Sequence, residues 1–193
     1  VAKILQTAGL KAVACGNVGD TVIEAVDRKD PYDYLVLELS SFQLHWAKQA
    51  QFVSAAILNI ADDHLDWHGT FDAYADAKFS ILDRADLAVL NADDQEVVTR
   101  ANRFTGRKVF FSLDTPAPGE IGVVEELLVD RAFVSDPMEA AMICELKDIT
   151  PTVPHNVSNA LAAAALARTV GVSHENIQKA LQEFTPGRHR IET

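Results

Sequence analysis

At 193 residues, with 48% hydrophobic content, the chain is long enough to bury one sizeable core. A formal net charge of −11 and an isoelectric point near 4.9 argue against a nucleic-acid partner or an anionic membrane surface, and a phosphate-bearing substrate of so acidic a protein needs a cation to bridge it. No apolar run is long enough to span a bilayer and no signal-peptide pattern opens the sequence. The two cysteines, Cys15 and Cys144, lack metal-site spacing, so buried free thiols in a reducing cytoplasm are the economical reading.

In chain order, Val1–Gly9 predicts an amphipathic helix closed by its glycine. With no initiator Met and no preceding strand, the sequence reads as a piece of a longer protein. Lys11–Cys15 predicts a short strand, and Asp20 or Thr21 caps a helix over Val22, Ile23 and Val26. The intervening Gly16-Asn17-Val18-Gly19 either lets the backbone approach a ligand or is ordinary turn chemistry. Tyr34–Leu37 is a continuous apolar run, the pattern of a strand buried on both faces of a parallel sheet. It delivers Glu38, Ser40 and Ser41 at the carboxyl end, where ligands collect in open α/β sheets. A carboxylate with low-dielectric walls behind it is costly unless it meets a metal ion or a Lys/Arg partner. The competing reading is a structural ion pair or a solvated strand end.

A helical segment near Trp46 and Ala47 leads to a second buried strand, Phe52–Ile60, which ends in Asn59, Asp62, Asp63, His64, Asp66 and, just beyond, His68. Two neighbouring strands delivering carboxylates and an imidazole at one end make a cation site. Oxygen-rich ligation points to Mg²⁺; Zn²⁺ is the weaker choice without a spaced His/Cys cluster. The competing reading is a polar loop in which Asp66 or Thr70 caps the next helix. That helix runs from about Phe71 to Leu82, with Phe71, Tyr74, Ala75, Lys78 and Leu82 on one face. Lys78 thus lies in an apolar stripe, an unusual place for an ammonium. It either snorkels to the edge or faces the Glu38/His64 corner and acts there.

Leu87–Leu90 and Lys108–Phe111 continue a strand–helix alternation that implies a parallel sheet with right-handed crossovers; Asp93 and Asp94 read as helix caps. Between Pro116 and Pro154 the rhythm changes. The runs Glu126–Val129, Arg131–Val134 and Met142–Leu146 predict a small antiparallel sheet, with Asp130-Arg131 as a hairpin turn. Pro154 opens an Ala-rich helix to about Val170, ended by Gly171. Asn156 and Asn159 share a face near its positive end, where anions and nucleotides are readily held, unless they are merely a cap and a surface amide. Ser173 caps a last helix with Ile177, Ala180, Leu181 and Phe184 in a stripe, and the chain runs out through the basic Pro186-Gly187-Arg188-His189-Arg190. The expected class is α/β, a mostly parallel sheet flanked by helices, with a small antiparallel sheet.

Three patterns occur in order: Leu37-Glu38-Leu39-Ser40-Ser41-Phe42-Gln43-Leu44; Asn59 through Asp63-His64-Leu65-Asp66-Trp67-His68-Gly69-Thr70 to Ala77-Lys78; and His155-Asn156-Val157-Ser158-Asn159-Ala160. With the basic ending, they resemble the Mur ligases, which add amino acids to the peptidoglycan precursor. The resemblance covers residues 1–185 as the family's central ATP-binding domain, of P-loop type, with 186–193 opening the linker to a C-terminal domain. The first pattern is similar to ligases that join D-glutamate to UDP-N-acetylmuramoyl-L-alanine. The second is also similar to those that add diaminopimelate or lysine.

The resemblance implies ATP and Mg²⁺ as cofactors and a monomeric parent protein. It implies that Glu38 binds Mg²⁺, that His64 binds a second Mg²⁺, and that Lys78 is carbamylated by CO₂ into a carboxylate that helps hold the metal. Lys78 and His64 would thereby carry the catalytic roles. It places Asn17 and Ser40 near the UDP-muramoyl substrate, Asn156 and Asn159 on the nucleotide, and Arg190 in the ATP site near the next domain. The family's glycine-rich phosphate loop belongs before Val1 and is not within these residues, so the polypeptide by itself is expected to be inert. A binding module that kept the fold without the chemistry is the reading from another class.

Overall fold

The computed structural model describes residues 1–47, 49–61, 65–136 and 138–185. Its centre is β4 (Leu87–Asn91), four of whose five residues are buried. Successive side chains of a strand point to opposite faces, and β4 obeys this with apolar residues on both. Leu87 and Val89 enter one buried cluster, Ala88 and Leu90 the other. The first cluster lies under α1 (Ala2–Thr7), α7 (Pro154–Thr169) and α8 (His174–Gln182), and the second under α5 (Phe71–Phe79) and α6 (Gln95–Ala101). The result is a three-layer α/β sandwich.

The six-stranded sheet runs β3 (Ala55–Ile57), β4, β5 (Arg107–Phe111), β6 (Glu120–Val124), β7 (Leu127–Asp130) and β8 (Ala141–Glu145). Its first three pairings are parallel and its last two antiparallel, so the small antiparallel part is a continuation of the main sheet. A separate pair, β1 (Ala12–Gly16) and β2 (Tyr34–Glu38), is parallel throughout. Ala12 of β1 is buried in the first cluster, and Tyr34 and Val36 of β2 pack against it.

Helix starts follow local side-chain chemistry. Thr21 and Ser40 form capping boxes with Glu24 and Gln43, ahead of α2 (Val22–Val26) and α3 (Ser41–Trp46). Thr70 and Ser173 cap α5 and α8.

Three expectations are corrected. First, β2 and β3 are not paired neighbours: β2 pairs with β1 and β3 with β4, and among the described residues no ladder joins β2 to β3. Second, the hairpin turn is Glu125-Glu126, with Glu125 at φ +53°. Asp130 ends β7 instead, and its Oδ1 accepts from the amides of Ala132 (2.8 Å) and Phe133 (2.9 Å), which bends the chain away from a strand over 131–134. Third, β6 precedes this hairpin. Gly122 interrupts its apolar run and hides it from a periodicity reading, yet no larger residue fits, since a Cβ there would meet the Asp114 carbonyl oxygen at 2.3 Å.

Candidate functional site

The carboxyl ends of β1 and β2 meet closely. Gly16 lies opposite Glu38 in the ladder, at φ +110°, and a Cβ on it would come within 2.5 Å of the Glu38 carbonyl oxygen. The next amide, Asn17 N, donates to that same oxygen at 2.7 Å. This turn glycine therefore serves the close approach of two backbones, and it fixes where Glu38 leaves the sheet. Glu38 ends β2 with its side chain exposed, a more open place than the walled one expected. Asn17 is also exposed. Ser40 is occupied locally: its Oγ accepts from Gln43 N at 3.2 Å and its own amide donates to Gln43 Oε1 at 2.8 Å. Its role here is to start α3, with any substrate contact additional to that.

α4 (Leu65–His68) and Gly69 connect to α5, which packs against α3. Helix α5 stops at Phe79, before Leu82, and buries Tyr74 and Ala75. Lys78 is half-buried. Its Nζ donates to the Tyr74 hydroxyl at 3.2 Å and lies 5.3 Å from that ring's centre. His68 Nε2 is 2.9 Å from the buried Ser41 Oγ, while its ring packs on Phe42, Trp67 and Tyr74 at 5.7, 4.4 and 5.3 Å between centroids. His68, noted from the sequence only as a polar residue just beyond the second strand, has this place at the α3–α5 junction that its pattern gave no sign of. His64, expected on a metal, lies outside the described residues, as do Asp62 and Asp63.

The direction of α7 determines which end of the sheet Asn156 and Asn159 occupy. Thr169 Oγ1, in its last turn, is 3.1 Å from Ser54 Oγ, just before β3 begins. The C-terminus of α7 is therefore at the amino edge of the parallel strands. Its 16 residues span about 24 Å, longer than a five-residue strand of about 17 Å. The N-terminus of α7 thus stands at the carboxyl edge. Asn159 is exposed there; Asn156 is half-buried and donates from Nδ2 to the Pro151 carbonyl at 2.9 Å. That bond ties down the loop before the helix and leaves its Oδ1 available. Arg190 lies outside the described residues.

The rest of the carboxyl edge is braced. Asp94 caps α6 through Val97 N (2.9 Å) and also accepts from Ile60 N (3.1 Å), while Asn91 Nδ2 donates to the Leu58 carbonyl at 2.8 Å. These bonds hold the ends of β3 and β4 together and leave Asp94 structural. Among the described residues no three His, Cys, Asp or Glu side chains gather as a metal cage. The site is an open edge: a cleft of about 300 Å³ lies between α3 and the end of α5, lined by Leu44, His45, Ala77, Ser80, Asp83 and Arg84, with none of the expected site residues among the described residues that line it.

At the opposite edge Asp130 is fully buried and accepts from His174 Nε2 (2.8 Å) and Arg168 Nε (3.3 Å). Burial pushes its carboxyl up, but the bonds from His174 and the Phe133 and Ala132 amides prevail and hold it below the ordinary value. This network joins β7, α7 and α8 and is structural.

Residues 18–167 match the family model of the Mur ligase middle domain. The chain belongs to the Mur ligase family. This Mur middle domain is 48% identical over 194 residues to UDP-N-acetylmuramoylalanine–D-glutamate ligase of Thermobifida fusca, covering 97% of this chain and 42% of that protein. To the protein of the same description from Streptomyces coelicolor it is 48% identical over 197 residues, covering 99% and 42%. The chain thus spans about two-fifths of the length of these relatives. Among solved structures, MurF from Acinetobacter baumannii superposes with a TM-score of 0.71 at 21% identity, over 99% of this chain and 44% of that one. That likeness carries the fold. Among the described residues no helix of the Mur middle domain is long and apolar enough to cross a membrane.

Proposed function

We propose that this chain is the ATP-handling middle domain of a cytoplasmic ligase that joins D-glutamate to UDP-N-acetylmuramoyl-L-alanine, consuming ATP. The observation that carries the reading is the 48% identity, over nearly the whole chain, to relatives described as D-glutamate ligases. The fold supports it by setting Glu38 at the carboxyl end of β2 and the N-terminus of α7 at the carboxyl edge of the main sheet. The second sequence pattern also resembles that of the diaminopimelate- and lysine-adding ligases, and a substrate assay separates the two.

The reaction has two steps. The substrate's terminal carboxylate attacks the γ-phosphorus of ATP, which forms an acyl phosphate and releases ADP. The amine of D-glutamate attacks the acyl carbon, the amide forms, and phosphate leaves as the nitrogen loses its proton. Bringing carboxylate and triphosphate together opposes two anions, so the work lies in charge neutralisation and alignment. The donor set suits Mg²⁺ in kind, since that ion takes one or two protein carboxylates and fills its shell with water and phosphate. In this proposal Glu38 and a carbamylated Lys78 would hold Mg²⁺ and His64 a second Mg²⁺, and the metal would supply neutralisation of phosphate charge when bound.

The chain's own groups do the rest. Backbone pairing between Gly16–Asn17 and Glu38 fixes the carboxylate's origin. Asn17 and Ser40 border the muramoyl substrate. Asn156 and Asn159, at the positive end of α7, hold the nucleotide, with Arg190. Tyr74 holds the Lys78 amine through its hydroxyl, presenting it for reaction with CO₂.

The test is ADP release by the full-length protein with UDP-N-acetylmuramoyl-L-alanine, ATP and Mg²⁺. Release that depends on D-glutamate supports the reading. Release that instead needs the glutamyl-extended precursor with diaminopimelate or lysine refutes it in favour of the neighbouring ligase.

A further inference from the structure

The geometry points to His68 as a positioning residue: it ties the Glu38 turn to the helix that carries Lys78. For the reaction proposed above, on which this inference rests, those two side chains come from segments 40 residues apart, Glu38 from the two-stranded sheet and Lys78 from a helix packed on the six-stranded one, and among the described residues no ladder joins the two sheets. Something other than sheet hydrogen bonds must hold them in register. On the Glu38 side, the turn is anchored by Asn17 N on the Glu38 carbonyl and by the Ser40–Gln43 box. Both anchors lie within the β1–β2–α3 unit and neither reaches α5.

Ser41 does reach out. It is the first residue of α3, only 3% exposed, and its Oγ bonds to His68 Nε2 at 2.9 Å. A buried hydroxyl needs such a partner. His68 in turn sits one residue before Gly69, whose φ of +79° turns the chain into α5. Its ring contacts both Phe42 of α3 and Tyr74 of α5. Tyr74 bonds the Lys78 amine. The line Ser41–His68–Tyr74–Lys78 is thus continuous, with one hydrogen bond at each end and a ring contact between. The imidazole touches neither Glu38 nor Lys78 in these contacts; it sets the distance between the elements that carry them.

The test uses the full-length ligase. His68→Phe keeps a ring against Phe42, Trp67 and Tyr74 and removes the Nε2 bond. Ser41→Ala removes the other partner by deleting one oxygen, and so keeps the test usable should the His68 variant misfold. Displacing catalytic groups by about an ångström costs up to roughly a hundredfold in rate, and a loosened tie is expected to cost about tenfold in kcat, with a higher Mg²⁺ half-saturation and an unchanged KM for D-glutamate. The double variant is expected to be no worse than either single one, because both remove the same bond. Amide hydrogen exchange over 39–44 is expected to accelerate in each. Wild-type kcat and exchange in His68→Phe, or losses that multiply in the double variant, would overturn the inference. If the parent enzyme shows no D-glutamate-dependent turnover, the functional reading falls, while the exchange measurement still decides whether His68 holds the turn.

Discussion

Replacing Gly16 with alanine probes the backbone contact that positions Glu38. The substitution carries two costs. A side chain at φ +110° is strained by about 1–3 kcal/mol. Its Cβ would also stand 2.5 Å from the Glu38 carbonyl oxygen, and since that neighbour is backbone, the strand ends must part by about an ångström. Parting them stretches the 2.7 Å bond from Asn17 N, worth about 1 kcal/mol. The sum is about 2–4 kcal/mol. Gly9→Ala supplies the control, since Gly9 has φ +84° but nothing within 4 Å of a built Cβ, leaving only strain. Chemical denaturation of both variants in the full-length protein should show Gly16→Ala the less stable by about 1 kcal/mol, the worth of the bond that the clash breaks, since the strain is common to both. Only Gly16→Ala should also raise the Mg²⁺ requirement of ADP release. Equal stabilities for the two variants, or a Gly16→Ala enzyme with an unaltered Mg²⁺ response, would refute the claim that this contact positions Glu38.

Other consequences are equally direct. Asp130→Asn leaves the largely buried Arg168 without its carboxylate and should cost about 3 kcal/mol at pH 7. Because the folded Asp130 carboxyl is depressed, its contribution is complete above the unfolded value of about 3.9 and is lost as pH falls through the folded one. The penalty measured by denaturation should therefore shrink below about pH 4; a penalty that grows with acid contradicts the assignment. Burial pushes the Cys144 thiol up to about 12, so iodoacetamide at pH 8 should leave it unlabelled in the native protein and label it in guanidinium; labelling of the native form would show that the strand it sits on opens. Lys78→Ala should lower turnover by on the order of a hundredfold, with partial recovery in formate or acetate. A folded variant that no small carboxylate rescues argues against carbamylation.

Much of the architecture was readable because it rests on local chemistry. Thr21, Thr70 and Ser173 announce their helices by hydroxyl capping, and the apolar run of β4 marks a strand covered on both faces; β2, expected to be the same, is only half-buried along its length. Gly122 masked β6, since a glycine enforced by a neighbouring backbone looks like a break in a strand. The hairpin was misplaced because Asp130-Arg131 is turn-like in composition, while the side chain of Asp130 is claimed by His174, 44 residues away. Within the site, a carboxylate ending β2 could be read from the pattern. The orientation of α7 could not, because it depends on how the chain returns from the antiparallel strands. Nor could the Ser41–His68 bond, since both residues look like ordinary loop polarity until α3 and α5 pack together.

Anomalous diffraction from crystals of the full-length protein grown with Mn²⁺ and a non-hydrolysable ATP analogue tests the central claim most directly. A metal peak is expected within bonding distance of the Glu38 carboxylate, with the nucleotide at the N-terminus of α7. A nucleotide bound there with no metal near Glu38, or a metal held at another edge of the sheet, would contradict it.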